Sequence, residues 1–409
     1  MNSSVCPGTA SVAVVGAGIA ATALAAGLRR GGWQGAITLL EAGRGPGGRS
    51  ASRRSRHDPL LRLDHGAPLF NLIGPPPALL EPLRQGGWIE PWPAVAGLAA
   101  LDAQGRLQPA AGEQPLLQGS LWRGRGGMDR IAAGLLALAG EGVELRPGRL
   151  VHGLTPPARA GEPWRLEDGD GRALLQADLL LFSGTLLAHP RCCERLGCRV
   201  PPLLAAASRL QDPELERAVA TIAASGQAPR CCLLLVLPPQ AAALWLQLPF
   251  RLLTVAAEAA WARGLERLTI QPLADGRCAV VAQGDARLAT SQAGEPADRA
   301  ETALLEALEA ALSQVLARLC AAVGTASLAC RPAGLLPAAA SRRLMRWGAA
   351  FPLGPGLPVE LSWCPHSRVG FCGDYISGPG FGRIEGAWRS GEALAERLLA
   401  AFRASATKG

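Results

Sequence analysis

Lysine is almost absent from this chain: Lys408 is the only one, and nearly all the basic charge is arginine. Chemistry that depends on a lysine beside the reacting atoms is therefore hard to build here. Tyrosine is as scarce, with Tyr375 alone, and aromatics make up 4% of the residues, so the cores must be small and aliphatic. The eleven cysteines contain no C-x-x-C pair, and no spaced histidine completes a zinc pattern. The close ones are Cys192-Cys193, Cys198 and Cys231-Cys232; most of the eleven read as small buried hydrophobes in a reducing, cytoplasmic setting, with no metal expected. The formal charge of +8 is scattered among acids without a Lys/Arg block, which argues against a nucleic-acid partner. No uninterrupted apolar run approaches the roughly 18–20 residues of a membrane span. Val12 to Leu28 is apolar but lacks a positive flank, and Gly16 and Gly18 interrupt it, so it reads as strand, turn and helix rather than as a signal peptide.

What is present is organised around that stretch. The 409 residues suffice for two or three domain-sized cores. Ser11 to Val15 reads as a strand, Ile19 to Leu28 as a helix stopped by Gly31-Gly32, and Ile37 to Leu40 as a second strand closed by Glu41. Between them Gly16, Gly18 and Ala21 make a G-x-G-x-x-A turn. Gly16 permits the tight turn, Gly18 lets the backbone approach a pyrophosphate, and Ala21 lets helix and strand pack closely. The helix N-terminus offers free N–H groups and a partial positive charge. Glu41 stands where a carboxylate accepts hydrogen bonds from a ribose, which favours FAD or NAD over NADP. A second glycine turn, Gly43 to Arg49, follows at once and ends in a planar, permanently charged donor fork suited to phosphate.

Further along, Asp64-His65-Gly66-Ala67 precedes Leu69-Phe70, and Ala78 to Gln85 reads as a short helix. Leu98 to Leu107 suggests a hairpin. A helix is expected over Asp129 to Ala139, with Asp129 at or near its N-cap. Strands are expected at Val143 to Leu145, Arg149 to Leu154, Trp164 to Glu167, Ala173 to Gln176 and Asp178 to Ser183. Pro213 to Ser225 reads as a helix, and Arg230 to Leu237, Leu265 to Gln271 and Cys278 to Gln283 as strands. A long helix runs from Glu295 to about Val323, and strands follow at Ser327 to Arg331 and Arg343 to Ala350. The C-terminal stretch Val369 to Asp374 is an apolar strand ending in Gly373-Asp374; a loop with Gly378, Gly380 and Gly382 then leads into a helix opened by Ile384-Glu385-Gly386-Ala387.

These motifs resemble the flavin amine oxidase superfamily, and within it the renalase-like branch. The resemblance is specific at both ends of the chain and covers the middle in outline. It implies an α/β fold: a discontinuous Rossmann-like FAD-binding domain of the glutathione-reductase and amine-oxidase type over residues 1–70, 121–188 and 340–409, with an α+β substrate domain over 71–120 and 189–339. It implies noncovalent FAD, held by Gly16, Gly18, Ala20, Ala21, Glu41, Ala42, Gly48 and Arg49, by Gly66 and Ala67 near the isoalloxazine, by the Val151 main chain at the adenine, and by Gly373, Asp374, Glu385, Gly386 and Ala387. Arg49 would pair with the pyrophosphate, and the helix N-terminus at Gly386-Ala387 would face the flavin N1/C2 carbonyl, where reduced flavin carries negative charge. Arg346-Trp347 to Pro352 resembles a family segment beside the flavin pocket. His65, Trp347, Tyr375 and Phe381 are the pocket candidates. Sequence alone names no catalytic base; His65 ranks ahead of His366 because it lies in the flavin-facing element.

The reaction implied is hydride transfer from a small reduced substrate, with dioxygen or another acceptor taking the electrons. The missing lysine and the thin aromatic complement depart from many amine oxidases. Renalase-like proteins are associated with abnormal isomers of reduced nicotinamide dinucleotides, and an Arg-rich pocket rim suits such phosphate-bearing molecules. Two alternatives stay open: an amine oxidase or desaturase-type enzyme on an apolar substrate, and a non-catalytic dinucleotide-binding protein.

Overall fold

A computed structural model describes residues 9–110, 114–159, 161–323 and 332–406. The apolar run Val12–Val15 is a strand, with Val12 and Val14 facing one side of a sheet and Ala13 the other; all three are buried. That pattern suits a parallel sheet covered on both faces. Parallel strands lie in the order Val143–Pro147, Ile37–Glu41, Val12–Val15, Leu179–Phe182 and Val369–Phe371, and Trp363–Cys364 pairs antiparallel at the edge. The chain reverses its order of addition between Val12–Val15 and Leu179–Phe182. Ligands bind at the carboxyl ends of strands at such a switch point.

One face of this sheet is covered by the helix Ile19–Arg30 and the C-terminal helix Ile384–Ala406. Their small residues have a packing reason. A Cβ on Gly391 would lie 2.3 Å from the Ala20 carbonyl oxygen, and one on Gly27 would lie 2.9 Å from the Ala395 Cβ. The Ala- and Gly-rich composition thus lets the two helices touch along their length.

A second, seven-stranded sheet has the order Ser341–Leu353, Gly226–Leu237, Cys278–Gly284, Leu265–Pro272, Leu252–Val255, Leu98–Leu101 and Leu107–Pro109. Side chains alternate along Gly226–Leu237. Leu233, Leu235 and Leu237 pack with Leu308, Leu312 and Leu316 of the long helix Ala297–Val323, whereas Cys232 and Leu234 face Leu63 and Trp347. The sheet therefore presents one face to its own helix and the other to the segment around Leu63.

Several expectations shift. The helix Pro213–Ala224 and its neighbour Pro202–Leu210 bury Leu203, Leu215, Val219 and Ile222 against Leu180, Phe182 and Phe371, so they pack on the nucleotide sheet although the sequence reading assigns them to the substrate domain. Ser341–Leu353 pairs with Gly226–Leu237, which places it in the second sheet rather than the first. Leu98–Leu101 does pair with Leu107–Pro109, but it also joins Leu252–Val255 in parallel. The expected strand at Arg149 to Leu154 shrinks to Gly153–Thr155. Asp129 lies next to the N-cap, as expected: Met128 holds the cap position, and the Asp129 carboxylate takes ion pairs from Arg54 and Arg62. The strand expected at Ser327 to Arg331 lies outside the described residues. Among the described residues no helix is long and apolar enough to cross a membrane.

Candidate functional site

The site begins at the switch point. Gly16 has φ +97°, a region that favours glycine, and a Cβ there would sit 2.5 Å from the Ser183 hydroxyl at the end of the neighbouring strand. Gly18 caps the helix in extended geometry with no side-chain hydrogen bond, and a Cβ on it would meet nothing within 4 Å. The helix N-terminus thus opens onto free space. The second glycine turn closes against the first: the Gly47 N–H donates to the Ala17 carbonyl at 2.8 Å, and Gly18 and Gly47 form an isolated β-bridge. A Cβ on Gly48 would come 3.6 Å from the Gly18 Cα. Two turns separated in sequence therefore make one backbone surface. Ala20 and Ala21 are buried behind it. Glu41 accepts from the Ala17 N–H at 2.9 Å and from the Gly43 N–H at 2.6 Å, spanning Ala42 and bracing the loop. The chain returns past this point through Arg149, whose N–H donates to the Glu41 carbonyl at 2.8 Å, and leads to buried Val151.

Arg49 and Asp374 join the two ends of the chain. Both outer guanidinium nitrogens donate to the Asp374 carboxylate at 2.6 Å, and one also reaches the Ala350 carbonyl at 2.8 Å. Burial alone would lower the Arg49 pKa, but the Asp374 charge and hydrogen bonds outweigh it and raise it. Gly373, at φ +150°, is pinned by Ser390, whose hydroxyl accepts from its N–H at 2.8 Å.

Arg191 is a residue that the sequence reading missed. It follows the strand Leu179–Phe182, and one of its nitrogens donates to the Thr185 hydroxyl at 2.8 Å. The other outer nitrogen is buried without a partner. Burial and the charges of Arg49 and Arg195 lower its pKa to about 10. A buried guanidinium that is repelled by Arg49 and half-unsatisfied is short of an anion. Its place after the carboxyl end of a central strand was the signal that could have found it.

The Asp64-to-Ala67 element is held between the two sheets. Gln271 accepts from the Asp64 N–H at 2.7 Å and donates to the Asp64 carbonyl at 2.8 Å, clamping it like a strand partner. Burial raises the Asp64 pKa, opposed by hydrogen bonds from Ser52 and the Met128 N–H. A Cβ on Gly66 would lie 2.0 Å from the Arg49 carbonyl oxygen, and the Ala67 N–H donates to that same oxygen at 3.2 Å. His65 is buried, with its ring centroid 5.3 Å from that of Trp347. His65 Nδ1 and Trp347 Nε1 are both buried without partners. Arg267 lies half-buried close by, with its charge disfavoured by desolvation, and reaches the Gly66 carbonyl at 3.4 Å.

Burial, reinforced by Arg53, lowers the His65 pKa from 6.5 to about 4. The imidazole is thus neutral at physiological pH. Between about pH 6.5 and 4 the unfolded chain binds a proton that the folded chain refuses, so stability falls as pH drops through that window. The lost stability is about 3 kcal/mol. Urea titrations of wild type and His65→Gln at pH 7 and 4.5 check this: the variant loses less stability on acidification.

Five expected site residues are engaged in other contacts. The Glu385 carboxylate accepts from the Ile73 and Gly74 N–H groups at 3.2 and 3.1 Å and pairs with Arg389 at 2.8 Å, so its role is to tie a loop to the helix. Tyr375 lies in the core against Phe182 and Phe371, with its hydroxyl donating to the Phe182 carbonyl at 3.3 Å, and does not line the His65–Trp347 region. Phe381 is half-buried and packs against Gly356, whose Cβ would come 2.6 Å from its ring. The Ala387 N–H donates to the Arg383 carbonyl at 3.1 Å, so it belongs to the helix and is not free. Gly386 packs on the Gly380 carbonyl, 2.3 Å from where its Cβ would be.

A family model for the NAD(P)-binding Rossmann-like domain matches residues 14–85. No curated protein sequence matches the chain. Solved structures match it nearly end to end at low identity. A candidate protoporphyrinogen oxidase from Exiguobacterium sp. 255-15 is 14% identical with a TM-score of 0.59, over 96% of this chain and 99% of that one. Putrescine oxidase bound to putrescine is 13% identical with a TM-score of 0.58, over 96% and 99%. Cyclohexylamine oxidase from Brevibacterium oxydans IH-35A is 15% identical with a TM-score of 0.61, over 97% and 100%. The chain thus carries an NAD(P)-binding Rossmann-like domain at residues 14–85, set within the fold that these oxidases share.

Proposed function

We propose that this chain is an FAD-dependent oxidoreductase of the flavin amine oxidase type that oxidises a small anionic substrate, of the class of dihydronicotinamide dinucleotide isomers. The observation that carries the reading is the junction of two glycine turns at the switch point, open in front of Gly18 and flanked by Arg49 and the half-unsatisfied Arg191. These residues fit a pyrophosphate: free helix N–H groups, a surface without side chains, and in Arg191 a cation lacking an anion, whereas Arg49 is held by Asp374. Glu41 would release the Ala17 and Gly43 N–H groups or share them with a ribose.

Bound FAD, held without a covalent link, would supply a hydride acceptor, and dioxygen or another acceptor would take the electrons onward. The protein's own contribution is positional. Trp347 and neutral His65 form a wall with two unpartnered polar nitrogens, which can hydrogen-bond a substrate amide or ring carbonyl. The surroundings are cationic: Arg267 is half-buried beside Gly66, and Arg53 has its pKa lowered by burial and by Arg343 and Arg44. Such a site attracts phosphate or carboxylate and repels ammonium. This favours an anionic substrate over the amines named for two of the structural neighbours.

Two measurements test the proposal. Anaerobic mixing of the flavin-loaded protein with dihydronicotinamide isomers should reduce the flavin, and putrescine and cyclohexylamine should not; reduction by the amines alone would overturn the substrate class. Arg191→Met tests the cofactor site. It should weaken FAD binding about 10- to 100-fold, from loss of a charge-assisted hydrogen bond. It should also leave the flavin-free protein as stable or more so, because a buried unpaired charge is gone. Loss of apo stability with unchanged FAD affinity would make Arg191 structural.

A further inference from the structure

The short helix Cys192–Leu196 ends at Gly197, in left-handed geometry at φ +68°, which turns the chain back and brings Cys198 over the start of the helix. The Cys192, Cys193 and Cys198 sulfurs all lie within 4.8 Å of one another, and Cys192 Sγ and Cys198 Sγ are 3.8 Å apart. Cys192 is fully buried, and Cys193 and Cys198 are half-buried. Most of the described cysteines are buried, as the sequence reading expects; Cys193, Cys198 and Cys320 are the half-buried exceptions.

We infer that these three thiols form a binding site for a soft metal ion of the Zn(II) or Cu(I) class. Two thiolates that share an ion at about 2.3 Å in tetrahedral geometry stand about 3.8 Å apart. A disulfide requires about 2.05 Å. The 3.8 Å between Cys192 and Cys198, which also suits a thiol–thiol hydrogen bond, is the spacing a shared ion needs and is too long for a bond between sulfurs. Sulfur-only donors select soft ions over Mg(II) or Ca(II). The buried Cys192 anchors the site, and the half-buried Cys193 and Cys198 leave a path for the ion and a fourth position open to solvent.

A reactive or redox-sensing role fits less well. Both need an easily formed thiolate. Burial and the neighbouring thiols push Cys192 up to about 12, and Cys193 is also raised. A metal ion overcomes this by displacing the protons: three thiols and one divalent ion give a three-thiolate complex of charge −1 and three released protons.

The test uses the full chain, reduced and stripped of metal with a chelator. Titration with Co(II) should give a thiolate-to-metal charge-transfer band saturating at one ion per chain, and Zn(II) should displace it stoichiometrically. Cys198→Ser and Cys193→Ser should each lose the band while keeping the wild-type circular dichroism, and Cys320→Ser, on the long helix, should keep it. Two substituted positions guard against one variant failing to fold. No band in the wild type, or a band that survives in a folded Cys198→Ser or Cys193→Ser variant, would overturn the site. Neither result depends on whether flavin binds.

Discussion

Gly18→Val leaves the fold intact and abolishes flavin binding. The two effects separate because of what surrounds Gly18. Its backbone is extended, at φ −73° and ψ −177°, which a β-branched residue adopts without strain. A Cβ there meets no protein atom within 4 Å. The only thing a side chain at this position would displace is a ligand seated on the helix N-terminus. The expected result is a thermal midpoint for the flavin-free variant within about 2 °C of the wild type, as for a surface substitution, with FAD affinity reduced at least about 100-fold. Gly16 is the contrasting position. There φ is +97° and a Cβ meets the Ser183 hydroxyl at 2.5 Å, so Gly16→Val destabilises the protein itself. Unaltered FAD binding by a folded Gly18→Val variant would remove the switch point as the cofactor site.

Arg49→Ala has the second large effect, on stability as well as binding. The Asp374 side chain is 7% exposed and that of Arg49 is 41% exposed. Removing the arginine leaves a carboxylate in a nearly closed position, whereas removing the carboxylate leaves a guanidinium that water can reach. The cost of orphaning a fully buried charge is about 3–5 kcal/mol; partial access of water to this pair brings Arg49→Ala to about 2–3 kcal/mol. Asp374→Asn should cost clearly less. Urea unfolding of the flavin-free variants measures both. Arg49→Lys keeps the charge but loses the fork, so it should recover only part of the loss. Equal costs for Arg49→Ala and Asp374→Asn would contradict the asymmetry in burial.

The parts of this molecule that were legible in the sequence are those written in local pattern. The strand, turn and helix at Val12 to Arg30 follow from an apolar run, two glycines and an Ala-rich stretch, and the helix Ala297–Val323 follows from its periodicity. The meeting of Gly18 with Gly47, and of Arg49 with Asp374, is a tertiary fact that spacing does not carry. Tyr375 and Phe381 follow Asp374 closely in sequence and so read as pocket residues. The Tyr375 ring instead turns into the core, where the Phe182 carbonyl satisfies its hydroxyl, and the Phe381 ring packs against Gly356. Glu385 lies in a motif that suggests the cofactor, but two loop N–H groups and Arg389 claim its carboxylate. Arg191 was hidden among many arginines, and only its burial and missing partner set it apart. The three thiols were equally hidden, because C-C-x4-C matches no familiar metal spacing and needs Gly197 to fold it back.

The account rests on a flavin at the switch point, and the absorption spectrum of the purified full chain tests that most directly. The account predicts flavin bands that sharpen on reconstitution with FAD and leave with the supernatant after acid or heat, identified as FAD, at one per chain. A protein without those bands, and with none gained on incubation with FAD, would contradict it; NAD binding or a non-catalytic role would then be the reading to pursue.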